Sequence, residues 1–338
     1  MAAPDQILLI RLSSIGDILL TFPLIRVLHR EYPDTAIDYV IFKEYIDVLQ
    51  PVRHWLRNVI TFAKSDTLLE IHRIRNIIKE RQYPLIIDLH NNPRSYRLTH
   101  HQPGNCYRFQ KHRIRRFFYI KFGWKIYLEI PVWQKYIQTV PMEFQDTAFH
   151  PLDFQPDAKI IEQLMAEIPM LQSTKRILLI FPGARHFTKR WSLDYQESLI
   201  RMILEQTDWQ IILGGSADES GCVTPLASLD NDRITDISGR YNLYQNFCLI
   251  SLADLVISND SAPMHMASLL GKKQLAIFGS TVRQFGFYPS NPNAVIIEDN
   301  SVKCRPCSHI GFEKCPKKHF DCIRKITPEI VFEQLRHL

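Results

Sequence analysis

Three short segments carry the residue types from which bond-making chemistry is built. The first is Arg11-Leu12-Ser13-Ser14-Ile15-Gly16-Asp17. It closes a continuous apolar run, residues 6–12, that reads as a buried parallel strand. Ser13 and Ser14 suit the cap of a following helix, and Gly16 suits a tight turn. Asp17 falls in the first helical turn, where the helix dipole favours a carboxylate. There it can take a proton from a hydroxyl as a general base, or be no more than a helix-start residue. The second segment is Phe181-Pro182-Gly183-Ala184-Arg185-His186-Phe187-Thr188-Lys189-Arg190-Trp191. Lys189 can neutralise a phosphate as a mobile point charge, or the cations can form a solvated basic loop. The third is Ser258-Asn259-Asp260-Ser261-Ala262-Pro263-Met264-His265. Its helix-start amides suit an anion, Asp260 can hold ribose hydroxyls or fix the loop, and His265 can face the same pocket. The plainer reading of that loop is an N-cap followed by a packed histidine.

These segments need strands and helices to place them. The periodicity predicts a first strand over 6–12, a helix over 17–30 with Pro23 dissenting, a strand over 37–42, a helix over 67–80 and a strand over 84–89. The series restarts at Ile177-Leu178-Leu179-Ile180, which repeats Ile7-Leu8-Leu9-Ile10. Helices over 193–205, 218–229, 243–252 and 262–270 then alternate with strands over 210–213, 233–237, 255–258 and 274–278. A linker over 149–158 carries Pro151 and Pro156. The expectation is an α/β chain of two Rossmann-like domains, 1–155 and 156–338, with parallel sheets facing across a cleft. Ligands of such sheets bind outside the carboxyl ends of the strands.

Composition narrows the class. Of 338 residues, 46% are apolar and 22% charged, which excludes a disordered, collagenous or disulfide-scaffold chain. Nowhere do about 18 apolar residues run together, and the amino-terminal apolar run lacks the marks of a signal peptide. A cytoplasmic chain with reduced cysteines is expected. Neither half carries G-x-G-x-x-G, which disfavours a nicotinamide oxidoreductase. Asp230-Asn231-Asp232 spells the Asp-x-Asp used for divalent metals, yet it falls between a helix and a strand and reads as a turn.

Taken together, Ser-Ser-x-Gly-Asp at 13–17, Pro-Gly-Ala with Lys-x-Trp at 182–191 and Asn-Asp-Ser-x-x-Met-His at 259–265 resemble glycosyltransferase family 9. These are the ADP-heptose:lipopolysaccharide heptosyltransferases. Leu213-Gly214-Gly215, Ile237-Ser238-Gly239 and Asp88-Leu89-His90 are similar to that family as well, so the resemblance spans the chain. It implies the GT-B fold, with the acceptor held by the first domain and the nucleotide-sugar by the second. It also implies inverting transfer of heptose from ADP-heptose to an anionic glycolipid acceptor, the lipopolysaccharide inner core, with no metal required. By the same resemblance Asp17 is the general base and Lys189 neutralises the diphosphate. Asp260, Ser261, Ala262 and His265 line the donor site, Glu219 lies near the nucleotide or ribose and Tyr241 near the base. The acceptor side would use Ser13, Ser14, Gly16, His90, Asn91 and Arg94. Ala262 departs from the glycine common in the third motif, and Ser192 from the proline often found after the tryptophan. Two other readings are a GT-B enzyme with a different nucleotide-sugar or surface glycan, and a non-catalytic binder of anions, glycolipid or nucleic acid.

The charge excess, 41 Lys+Arg against 35 Asp+Glu, has an address. No acidic residue occurs between Asp88 and Glu129. That stretch holds Arg94, Arg97, Arg108, Lys111, Arg113, Arg115, Arg116, Lys121 and Lys125, interleaved with aromatic residues. A surface of this kind suits an acidic glycolipid acceptor or peripheral contact with the cytoplasmic face of the inner membrane. The plainer reading is a solvated basic surface, and single-stranded nucleic acid is the weakest fit and is not expected as a partner. Residues 304–322 hold Cys304, Cys307, Cys315 and Cys322, with His309 and His319 nearby. The first spacing matches a zinc knuckle and the later ones match no standard finger, so reduced structural thiols are expected ahead of a structural zinc. A helical pattern over 328–338 ends the chain, and the GT-B resemblance implies that it crosses back toward the first domain.

Overall fold

The computed structural model describes residues 4–65, 68–124 and 130–338. Thr67, Lys125 and Glu129, named above, lie outside them. The chain divides into two compact units, one of Met1–Arg113 and Ile130–Phe149, the other of Ile114–Glu129 and His150–Leu338. The chain passes from one unit to the other between Phe149 and His150, and residues 114–124 group with the second unit.

The first unit is a five-stranded parallel sheet in the order β3-β2-β1-β4-β5. Its strands are β1 (Gln6–Ile10), β2 (Ala36–Phe42), β3 (Asn58–Phe62), β4 (Leu85–Asp88) and β5 (Asn105–Arg108). β1 is central and pairs in parallel with β2 on one side and β4 on the other. This explains its unbroken apolar sequence, since both faces of a parallel sheet are covered. Leu8, Ile10, Val40, Ile60 and Ile86 meet Ile71, Ile74 and Ile78 of the helix α3 (Leu68–Arg81) in one core. The long helix expected over 17–30 is instead two, α1 (Ile15–Leu19) and α2 (Phe22–Glu31). Pro23 is the reason. It cannot donate the bond that a continuous helix would require there, and it sits comfortably in the first turn of α2. Between β4 and β5 lies α4 (Pro93–Thr99), and after β5 comes α5 (Arg113–Phe122).

The second unit is a six-stranded parallel sheet in the order β11-β10-β9-β6-β7-β8. Its strands are β6 (Ile177–Phe181), β7 (Gln210–Leu213), β8 (Ile234–Asp236), β9 (Leu255–Asn259), β10 (Lys273–Phe278) and β11 (Ala294–Glu298). The helices Leu193–Gln206, Leu243–Leu252 and Ala262–Leu269 lie where the periodicity put them. The helix expected over 218–229 begins as a 3-10 turn, Ala217–Glu219, and continues as Ser220–Ala227. The carboxyl-terminal helix Pro328–Arg336 stays within this unit. Val331, Phe332 and Leu335 join its core beside Leu199 and Ile203, so the apolar face that a crossing would have needed is already buried.

Both sheets share one feature that decides where a site can form. In each, the first strand of the series pairs with the fourth. The connections after those two strands leave in opposite directions, and a crevice opens at the carboxyl edge between them. That point lies between β1 and β4 in the first unit and between β6 and β9 in the second.

Candidate functional site

In the first unit the loop after β1 runs through Arg11 to Ser14 and enters α1. Asp17 lies in the first turn of α1, and its carboxylate meets the Arg11 guanidinium at 2.7 Å. Ser14 is the N-cap residue, but its hydroxyl donates to Asp17 Oδ2 at 2.8 Å instead of capping the helix. Gly16 lies inside α1 and is not left-handed, so it does not make the turn expected of it. Arg11 is the member of the motif to which the sequence reading gave no role. Its Nε donates to Ser13 O at 2.8 Å and its Nη1 to Leu89 O at 2.6 Å, a bond that crosses from the β1 loop to the β4 loop. Burial works against the guanidinium, but the charge of Asp17, with the phenol groups of Tyr136 and Tyr39, more than offsets it, and its pKa is raised. The Arg11 side chain is 7% exposed and that of Asp17 22%, so the carboxylate is the member presented to a ligand.

The loop after β4 is held by Asp88. Its Oδ1 accepts from the amides of His90 and Asn91, and its Oδ2 accepts from Ser95 Oγ. Burial raises the Asp88 carboxyl pKa. Its work is to shape the turn, which lets Asn92 cap α4 in a reciprocal pair with Ser95. Asn91 takes left-handed backbone at φ 42° and donates its side-chain amide to Phe109 O. His90 is buried, and its Nδ1 finds no hydrogen-bond partner among the described residues. Burial, with Arg11 and Lys111 nearby, pushes the imidazole down to about 3, so it is neutral at ordinary pH. Burial beside Arg11 and Arg113 also brings Lys111 down to about 8. The Arg94 guanidinium lies 5.5 Å from the centre of the Phe42 ring. Ser13, Ser14, His90 and Asn91 thus come together with Asp17 at this sheet edge, joined by Arg11 and Lys111.

In the second unit the loops after β6 and β9 are tied by Asn259, the buried last residue of β9. Its side-chain amide donates to Pro182 O and Gly183 O, and its Oδ1 accepts from the Trp191 amide. Lys189 Nζ then meets Asp260 Oδ2 at 2.7 Å, and the same oxygen accepts from Thr281 Oγ1 at 2.7 Å. Here the acid is the hidden partner, 6% exposed against 16% for the lysine. Ser261 is the N-cap residue of the helix Ala262–Leu269, with its hydroxyl turned to Asn259 O rather than to the helix amides. His265 is buried within that helix.

Glu219 accepts from the amide and hydroxyl of Ser216 and lies against Gly183, where an added Cβ would come within 2.1 Å of the carboxylate. A side chain at Gly183 would therefore force the Glu219 carboxylate to move. Tyr241 donates to Glu167 Oε2 at 2.8 Å. Burial and that bond push its phenol up to about 12. Asp230 caps its own turn by accepting from the amides of Asp232 and Arg233, which is turn chemistry.

The cysteine segment packs on the Lys189 loop. Thr188 donates its amide to Phe312 O, and the Phe312 amide donates back to Thr188 Oγ1. Gly311 has φ 98°, and an added Cβ would stand 2.7 Å from His186 Cβ. Arg305 donates to Thr281 O and pairs with Glu298, which extends the support of Asp260 by one shell. All seven cysteines are free thiols. Cys304 Sγ lies 3.6 Å from His319 Nε2, and burial pushes Cys307 up to about 11 and Cys322 up to about 12. Among the described residues no three His, Cys, Asp or Glu side chains are spaced to hold a metal ion, Cys304, Cys307, Cys315 and Cys322 included.

Sequence reasoning missed Arg11, Thr281 and Arg305, and placed Lys111 only within the basic stretch. Arg11 stood in the quoted motif, and a basic residue ending a buried strand was the available signal. Nothing local marks Thr281 or Arg305.

Comparison with known proteins follows the same lines. Residues 71–317 match the family described as Glycosyltransferase family 9 (heptosyltransferase). Lipooligosaccharide heptosyltransferase 2 of Campylobacter jejuni is 29% identical over 186 residues, which is 54% of this chain and 57% of that protein. The chain thus spans little more than half the length of that relative. Lipopolysaccharide heptosyltransferase 3 of Escherichia coli is 27% identical over 87% of this chain and 88% of its own length. Among solved structures, the ADP-heptose lps heptosyltransferase II of E. coli superposes with a TM-score of 0.74 at 19% identity, covering 98% of both chains. That likeness shows the GT-B fold.

Proposed function

The chain belongs to glycosyltransferase family 9, and on that premise we propose that it transfers heptose from ADP-heptose to the inner core of lipopolysaccharide with inversion. One observation carries the reading. Each sheet edge holds an ion pair, and the exposed member is the group the reaction needs there: a carboxylate at Asp17 and an ammonium at Lys189. The acceptor hydroxyl oxygen attacks the anomeric carbon. The bond from that carbon to the β-phosphate oxygen breaks, and its electron pair leaves with ADP. Asp17 takes the hydroxyl proton. Lys189 meets the charge that grows on the leaving diphosphate, with the amides at Ser261 and Ala262 as further donors. Asp260 aims the lysine, and Arg11 with Ser14 aims the aspartate.

The acceptor is an anionic glycolipid, which suits the acid-free basic stretch of the chain. Ser13, Ser14, Gly16, His90, Asn91 and Arg94 belong to the acceptor side. Asp260, Ser261, Ala262, His265, Glu219 and Tyr241 belong to the donor side. No metal takes part in the transfer. No described helix is long and apolar enough to cross a membrane, and the protein works from the cytoplasm at the inner face of the inner membrane. The test is incubation with ADP-heptose and defined core acceptors, with and without EDTA. Heptose transfer that survives EDTA is expected. Consumption of another nucleotide-sugar while ADP-heptose stays intact would overturn the donor assignment, and loss with EDTA the metal-free step.

A further inference from the structure

The helix α5 is built inside out. Its sequence, Arg-Ile-Arg-Arg-Phe-Phe-Tyr-Ile-Lys-Phe, carries no acid and leaves no residue fully buried. Arg116, Tyr119 and Ile120 are its half-buried side, and Tyr119 meets the Phe285 ring edge-on with centroids 6.1 Å apart. Ile114, Phe117 and Phe122 recur at spacings of three and five on the opposite side. Together with Trp124 they are 52% to 74% exposed. A surface helix of a soluble domain turns its apolar stripe inward, and this one turns it outward. Phe118 links the group, stacked on Trp124 at 5.2 Å with planes 6° apart and on Phe122 at 5.8 Å. Arg113 and Arg115 are exposed beside the stripe and Lys121 within it. The nearest acids along the chain are Asp88 and Glu129.

We propose that the outward face of α5 docks the protein on an anionic phospholipid bilayer, with Phe117, Phe122 and Trp124 entering the headgroup boundary and Arg113, Arg115 and Lys121 meeting lipid phosphates. This deepens the membrane contact named above. Large apolar side chains flanked by cations are the make-up of an interfacial helix. The arrangement favours lipid over nucleic acid, because the centre of the face is apolar and the cations stand mostly at its flanks, where a polyanion would want them along its track. Each cation near a negative surface contributes roughly fivefold to partitioning, so the three together contribute on the order of a hundredfold.

The experiment sediments the full-length protein with vesicles of equal parts phosphatidylcholine and phosphatidylglycerol, and with phosphatidylcholine alone. No glycolipid acceptor is present, so the result is independent of the transfer reaction. Binding to the mixed vesicles alone, weakened by salt, is expected, with a blue shift of tryptophan emission. Trp124→Phe should abolish the shift while binding persists. The triple change Arg113→Glu, Arg115→Glu and Lys121→Glu should cut partitioning at least a hundredfold. Phe117→Ser with Phe122→Ser should weaken it even at low salt, and unchanged thermal melting would show that both variants fold. The proposal fails if the wild type ignores the mixed vesicles or binds both kinds equally, or if the triple variant binds as well as the wild type. It also fails if a single-stranded oligonucleotide is captured in place of vesicles, or if the apolar changes abolish only a dimer seen by light scattering.

Discussion

The two sheet edges are variations on one plan with the charges exchanged. In the first unit a buried arginine, tied to two backbone carbonyls, holds a more exposed aspartate. In the second a buried aspartate, tied to Thr281, holds a more exposed lysine. Both pairs close at 2.7 Å; the Lys189–Asp260 pair itself joins the loops after β6 and β9, whereas in the first unit Arg11 makes the equivalent link through its bond to Leu89 O. The hidden member costs free energy to desolvate and is tolerated because it is paired and hydrogen-bonded. What it supplies is a fixed position for its partner. The lesson is that the same architecture yields a proton acceptor or an anion clamp according to which charge is presented.

The comparison breaks most visibly at its exposed members. Asp17→Asn should lower kcat by roughly 10²- to 10⁴-fold with ADP affinity unchanged. Turnover within tenfold of the wild type would remove Asp17 from the proton-transfer role. Lys189→Met should cost on the order of 10²- to 10³-fold and weaken ADP binding as well. A Lys189→Met protein that binds ADP normally would show that the clamp lies elsewhere. Arg11→Met tests the hidden member. It leaves Leu89 O and Ser13 O without their donor, so a stability loss of about 1–3 kcal/mol is expected in denaturant unfolding, together with reduced kcat. Arg11→Lys should recover part of both, and an unchanged kcat in Arg11→Met would mean that Asp17 positions itself.

Two smaller effects sharpen the contrast. Lys111 ionises near 8, so its positive charge is present at pH 7 and is lost as the pH rises through 8. The KM for an anionic acceptor should therefore rise several-fold between about pH 7 and 9, and Lys111→Arg, which stays charged, should flatten the rise. ADP affinity, which belongs to the other unit, should show no such inflection from this group. Gly311→Ala forces a side chain onto left-handed backbone and against His186. About 1 kcal/mol of stability should be lost, with a several-fold rise in the KM for the nucleotide-sugar and no change in the KM for the acceptor.

Much of this architecture was legible. The apolar runs at 7–10 and 177–180 mark the central strands because a parallel strand buried on both faces must be apolar throughout. The helix Leu243–Leu252 follows from its period alone. Asp17, Lys189 and Asp260 were legible as loop residues after buried strands. The strands β3, β5 and β11 were not. They lie at or near the sheet edges, where mixed exposure leaves a pattern such as Asn105–Arg108 with no clear apolar signal. The break between α1 and α2 was signalled by Pro23 but not located by it.

What the sequence by itself determined is local: which runs bury, which loops follow them, and which charged residues stand in those loops. Apolar periodicity and turn chemistry act over a few residues and survive without tertiary context. What only the tertiary structure decided is pairing. Arg11 reaches Leu89 across 78 residues, Lys189 meets Asp260 across 71, and Arg305 supports Thr281 across 24. The hidden and presented members of each pair, and the apolar face that α5 turns outward, follow from burial. Burial is a property of the folded chain because it depends on what every other element covers.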